Sequence, residues 1–146
     1  MKSLARELHK IFFNSRLRIT LSELSEASEV SPSQIRYWEK KGYIQSSQGQ
    51  KNQSHKYTIK TLGTVMDIKY YLNQGFTLAA AYEKQNQQRG LFKCIKFFTM
   101  ERVRDIQIKD QGVVIDLGKV DNVPGKRVMA FVDDQGNSKL ILQDDE

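Results

Sequence analysis

The sequence predicts an α+β chain: a winged helix-turn-helix, preceded by an amphipathic helix and followed by a small antiparallel β module. Three observations carry this. Two helix-start signals, Thr20-Leu21-Ser22-Glu23 and Ser31-Pro32-Ser33-Gln34, lie close enough for two short helices joined by a turn of three or four residues. A polar stretch over 45–55 lies between β-leaning ends. After residue 104 the apolar spacing changes from three-or-four to two.

Leu4, Leu8, Ile11 and Phe12 fall on one face of a helix over 2–13. So short a helix does not persist alone in water, so that face must dock on something. Residues 14–18 form a basic connector. In the first start signal, the Thr20 hydroxyl can accept the Glu23 amide while the carboxylate reaches back. Leu21, Leu24 and Ala27 then lie on one side of a helix to about 28. In the second, Ser31 caps, Pro32 takes the first helical position, and Gln34 is the reciprocal partner. Ile35 and Trp38 point inward, and Gly42 suits a left-handed C-cap.

Tyr43-Ile44 and Tyr57-Thr58-Ile59 are the expected edges of a hairpin around the polar loop. Thr58 then caps a helix to about 74, Gly75 ends it, and Thr77 starts the next. Over 91–103, Leu91, Ile95 and Phe98 share a helical face, although Phe97-Phe98 could equally begin a strand. Alternation over 105–109, 113–117, 127–132 and 138–143, with turns between, predicts a four-stranded meander and an acidic tail. The expected domains are 1–18, 19–88 and 89–146.

The 146 residues have a soluble globular composition, with 39% hydrophobic and 27% charged residues. No run of about 18 apolar residues exists for a membrane span. The first residues lack a secretory signal's apolar stretch, so a cytoplasmic chain is expected. Cys94 alone cannot form an intrachain disulfide, and with two histidines besides, a protein-only zinc site has little to draw on. No Ser/His/Asp set or phosphate-loop pattern appears, so no catalytic residue, cofactor or enzymatic activity is expected. The net charge of +6 is carried by residues 1–88, and from Lys40 to Met66 there are five lysines and no acid. Such a stretch suits an anionic partner, or is a solvated basic face.

The segment Val30-Ser31-Pro32-Ser33-Gln34-Ile35-Arg36-Tyr37-Trp38-Glu39-Lys40-Lys41-Gly42-Tyr43-Ile44 resembles the recognition-helix signature of the MerR family of bacterial transcription regulators. Ile19-Thr20-Leu21-Ser22-Glu23-Leu24 resembles that family's opening motif. His55-Lys56-Tyr57-Thr58-Ile59-Lys60-Thr61-Leu62 is similar to its exit from the wing, and Gln74-Gly75-Phe76-Thr77-Leu78 to the joint before its last helix. The resemblance spans 19–88. Most members continue into a long coiled-coil helix, whereas here Gly90 interrupts and β-like sequence follows. The added N-terminal helix makes the layout similar to the GlnR/TnrA-like nitrogen-regulator branch. The metal-sensing cysteine pattern and a multidrug-binding module are absent, and the resemblance specifies no effector.

What the resemblance implies is a dimeric regulator on double-stranded DNA at a pseudo-palindromic promoter site, with RNA polymerase as a further partner. The contact residues it indicates are Thr20, Ser33, Gln34, Arg36, Tyr37, Lys40, Lys51, His55, Lys56 and Tyr57. Residue chemistry fits several of them. Glutamine pairs bidentately with adenine, though Gln34 could instead serve only as the capping partner. Arg36 forks onto phosphate or pairs with Glu39. Lys56 keeps charge without the fork of the family's usual arginine. Tyr37 contacts DNA or packs, Tyr57 anchors the wing, and His55 is a wing donor or a solvated residue. For pairing, Leu4, Leu8, Ile11 and Phe12 offer one apolar stripe, whose alternative is packing on its own chain. An open edge of the β module is the second candidate. The competing function is an architectural, excisionase-like accessory protein, which would protect a tandem array of sites instead of one pseudo-palindrome.

Overall fold

The computed structural model describes residues 4–12, 16–47, 54–87 and 90–146. Among these, the elements in chain order are α1 Leu4–Phe12, β1 Arg18–Thr20, α2 Leu21–Ser28, α3 Pro32–Lys40, β2 Lys56–Thr58, α4 Ile59–Asn73, α5 Leu78–Gln87, α6 Leu91–Arg102, β3 Asp105–Lys109, β4 Gly112–Lys119, β5 Lys126–Asp133 and β6 Ser138–Asp144. Two compact units result: Asn14–Ile95, and Met1–Phe13 together with Lys96–Glu146. Their divisions fall elsewhere than the sequence boundaries at 18 and 88, and α1 belongs with the β module.

In the unit over 14–95, both capping boxes form. Thr20 Oγ1 accepts from the Glu23 amide at 3.1 Å, and Glu23 Oε2 accepts from the Thr20 amide at 2.7 Å. Ser31 Oγ accepts from the Gln34 amide at 3.2 Å, and Gln34 Oε1 accepts from the Ser31 amide at 3.3 Å. The turn between α2 and α3 is closed by side chains as well. Ser28 Oγ donates to Leu24 O at 2.6 Å, Ser25 Oγ donates to Val30 O at 2.7 Å, and Lys69 Nζ of α4 donates to Ser28 O at 2.9 Å. This arrangement replaces the expected inward Ala27, which is exposed, with Ser28, which is buried. α3 ends in a Schellman pattern, with the Tyr43 amide on Trp38 O and the Gly42 amide on Glu39 O, both at 3.0 Å. Gly42 has φ of 82°, a conformation that costs glycine nothing.

The core of this unit gathers Leu24, Val30, Ile35, Trp38, Ile44, Tyr57, Val65, Ile68, Tyr71 and Ala81. Truncating a fully buried member such as Ile35 to alanine costs about 2–5 kcal/mol by the usual behaviour of packed interiors. The strand partnership differs from the expected hairpin. β2 pairs with β1, Ile19 opposite Tyr57, and among the described residues the segment after α3 meets β2 through an isolated bridge from Ser47 to Lys56. Tyr43-Ile44 forms no strand, because the helix terminus holds the Tyr43 amide and Ile44 is spent in the core. Ile59 begins α4 under the Thr58 cap.

Asp67 of α4 is 4% exposed. It accepts hydrogen bonds from the backbone amides of Leu91 and Phe92, the first turn of α6. Gly90 precedes them at φ 71°, and a Cβ there would lie 2.4 Å from Asp67 Oδ2. The helical reading of 91–103 holds. Leu91, Ile95 and Phe98 of its shared face are nevertheless exposed.

In the other unit, the sheet order is β3-β4-β5-β6, all antiparallel, as the alternating pattern predicts. α1 lies against β3, with Ala5 buried and His9 Nε2 3.1 Å from Thr99 O. Leu8 is half-buried, whereas Leu4 and Ile11 are exposed. The Phe12 side chain lies outside the described residues. β4 bulges between Asp116 and Gly118, where the Gly118 amide donates to Asp116 Oδ1 at 2.8 Å. The acidic tail is not simply solvated. Asp145 pairs with Lys119 at 2.6 Å and Arg127 at 3.2 Å, and Arg127 also meets Asp116 at 3.1 Å.

Candidate nucleic-acid interface

α3 is two-sided because its sequence is. Ile35 and Trp38, three apart, are buried at 0% and 3% exposure, and Ser33, Gln34, Arg36, Tyr37 and Lys40 face outward. The helix is thereby a polar and basic rod about 13 Å long, at about 1.5 Å per residue, with a fixed inner side. Lys41, which the sequence reading did not single out, stacks its ammonium 5.5 Å from the Tyr37 ring centroid. Tyr37 is 49% exposed, so its packing is partial.

Beside α3 lies an open groove of about 1020 Å³ between α2, α3 and the β2 segment. Thr20, Arg36, Lys40, His55 and Tyr57 all line it. Five of the expected contact residues, from three separated stretches of sequence, are thus brought to one concavity. Ser33, Gln34 and Tyr37 stand outside the groove on α3, and Lys56 is exposed on β2. Lys51 lies outside the described residues.

A carboxylate organises the groove's floor. Glu39 accepts from Tyr57 Oη at 2.8 Å, from Ser46 Oγ, and from His55 Nδ1 at 3.0 Å. Ser46 and His55 also meet, at 3.2 Å. Burial alone would raise the Glu39 carboxyl. The hydrogen bonds from Ser46 and Tyr57, with the charge and hydrogen bond of His55, outweigh it and hold the group below its ordinary value. Burial, then the Glu39 hydrogen bond and charge, push the Tyr57 phenol well up, and Arg36 partly opposes this.

Tyr57 takes the anchoring place also expected of it, while still lining the groove. At 1% exposure and with its hydroxyl given to Glu39, it anchors β2. Among the described residues Arg36 forms no ion pair with Glu39; that carboxylate is taken by Tyr57, Ser46 and His55. Thr20 is committed to the α2 cap. Gln34 Oε1 accepts from both the amide and the hydroxyl of Ser31, so its oxygen is occupied, on a residue that is exposed. The sequence reading missed Glu39 and Ser46 as supports. The available signal was Tyr57 itself, since a buried phenol needs an acceptor.

No group of three or more His, Cys, Asp or Glu suited to a metal occurs among the described residues. No described helix is long and apolar enough to cross a membrane. Residues 19–88, a little under half of the chain, match the model of the MerR HTH family regulatory protein. No curated protein matches the chain.

Proposed function

We propose that the chain is a sequence-specific DNA-binding transcriptional regulator of the MerR type, acting as a dimer on a pseudo-palindromic promoter site. The supporting observation is the outward face of α3, with Ser33, Gln34, Arg36 and Lys40 exposed over a helix whose inner side is locked by Ile35 and Trp38. A helix of this kind enters the major groove, and exposed residues near its N-terminus meet base edges. Arg36 and Tyr37 take phosphate oxygens, the first through its fork and the second by a single donor. We read β1, β2 and the segment between α3 and β2 as the wing. Its His55 and Lys56 add donors along the backbone of the duplex, and Lys51 is assigned there from sequence.

One such domain reads only a half-site, and useful specificity needs two. Pairing of subunits is therefore part of the proposal, as is action beside RNA polymerase in the cytoplasm. The helix ahead of the domain is the feature that favours a GlnR/TnrA-like layout. The test is a footprint of the full chain on selected duplexes. A single pseudo-palindromic protected site is the expected result. A tandem array of protected repeats would instead assign the protein to the architectural, excisionase-like class.

A further inference from the structure

The four-stranded sheet has two edges of opposite character. β3 is five residues long, ends in Asp105 and Lys109, and has α1 against it. β6 is seven residues long, contains no proline or bulge, and every residue in it is exposed. Leu140, Ile141 and Leu142 at its centre are 70%, 45% and 54% exposed. Natural edge strands are ordinarily shortened, charged, bulged or covered. β3 carries such protection, and β6 has only Lys139 and its terminal Asp144.

The apolar surface continues inward from β6. Leu140 stands opposite Ala130, and Leu142 opposite Val128, so both leucines extend the apolar face of β5 to the open edge. On the other face Lys139 lies over the Phe131 ring at 5.4 Å, which leaves Ile141 as the aliphatic residue there on β6.

We infer that β6 pairs antiparallel with β6 of a second copy of this chain about a two-fold axis at Ile141, joining two sheets into one. The inference rests on the dimer of the proposed function and names its surface. The strand's own pattern selects a second copy. Paired strand residues must point to the same face, so a two-fold axis normal to the sheet passes through a residue facing itself. With Ile141 there, all seven residues overlap. Leu140 then faces Leu142 of the other copy, Lys139 faces Gln143, and Ser138 faces Asp144, so no like charges oppose. Shifting the axis to Leu140 sets Lys139 against Ile141. Shifting it to Leu142 sets Leu140 against Asp144. The register of greatest overlap is also the one in which apolar meets apolar.

The test uses the full chain without DNA. Wild-type protein should sediment as a dimer. Ile141→Lys opposes two ammonium groups at the axis and should sediment as a monomer at the same concentration with an unchanged circular dichroism spectrum. In a Cys94→Ser background, Ile141→Cys should give a covalent dimer with a short bis-maleimide, and Gln111→Cys, in the turn between β3 and β4, should not. A monomeric wild type, or a dimeric folded Ile141→Lys, overturns the inference. Should that variant not fold, absence of the Ile141→Cys cross-link overturns it. The DNA reading is checked separately. The monomeric variant should keep half-site binding and lose affinity for the full palindrome by roughly 10²-fold or more, as expected when the second contact is no longer intramolecular. Failure of every form to bind any duplex would remove the DNA reading and leave the β6 contact standing.

Discussion

The hydroxyl of Tyr57 donates to Glu39 Oε2 at 2.8 Å, joining β2 to the last turn of α3 across 18 residues of chain. This bond couples the strand bearing Lys56 to the helix bearing Arg36, so the two basic elements hold one geometry. Tyr57→Phe removes a hydrogen bond to a charged acceptor, and a loss of about 1–2 kcal/mol is expected in denaturant unfolding. Glu39→Gln should be worse, because it weakens three contacts at once.

The same carboxylate fixes a pH dependence. Glu39 is held below its ordinary value of 4.5, so its contribution is fully present above that value. It is lost as pH falls through the lowered folded-state pKa, where the native carboxylate finally takes a proton. The stability difference between wild type and Glu39→Gln should therefore shrink under acid conditions, measured by thermal unfolding from pH 7 downward. A difference that stays constant would mean that Glu39 acts through packing alone.

On α3, two substitutions separate positioning from reading. Arg36→Ala should weaken binding to every duplex by a similar factor and make the salt slope shallower by about one unit. Gln34→Glu keeps an acceptor for Ser31 and a good capping-box residue. It removes the amide donor needed for adenine, so stability should hold while preference at one base position relaxes by about 1–3 kcal/mol. Competition binding over singly substituted operators measures this.

Gly90 and Asp67 form a tight pair in the unit over 14–95. Gly90→Ala puts a Cβ on Asp67 Oδ2 in a left-handed backbone, and a loss of about 2 kcal/mol or more is expected from strain and displacement. Burial raises the Asp67 carboxyl, and the Leu91 and Phe92 amides only partly offset this. A raised acid pKa means that stability is present at low pH and is lost as pH rises through the folded-state value. Asp67→Asn keeps an oxygen acceptor and should remove that loss, so its advantage over wild type grows from acid to neutral pH in thermal melts.

Deleting residues 1–13 removes α1 from β3. The truncated chain should remain paired through β6 but melt earlier. If it sediments as a folded monomer, the pairing role returns to Leu4, Leu8, Ile11 and Phe12.

Local chemistry made much of this fold legible in advance. Both capping boxes, the Gly42 and Gly75 stops and the alternating strands are short-range patterns, and the elements follow them closely. Pairings between distant residues were not legible. β1 has three residues and no period of its own, and its partner β2 starts some forty residues later. The buried Ser28 in place of Ala27 reflects a hydroxyl satisfied by its own helix and by the turn, which hydropathy cannot register. At the groove, residue types pointed to Arg36, Lys40 and His55, whereas the Glu39 support appears only when three donors converge in space.

Asp67 also sets a timescale. The first amides of a helix have no carbonyl of their own helix to bond, and normally exchange with solvent deuterium almost freely. Those of Leu91 and Phe92 are tied to a carboxylate buried on α4, so they open only when α4 itself loosens. Their exchange should follow that of the interior of α4, with slow labelling where a helix start would ordinarily label first. The beginning of α6 thus belongs, in the order of unfolding, with the interior of α4 in the unit over 14–95.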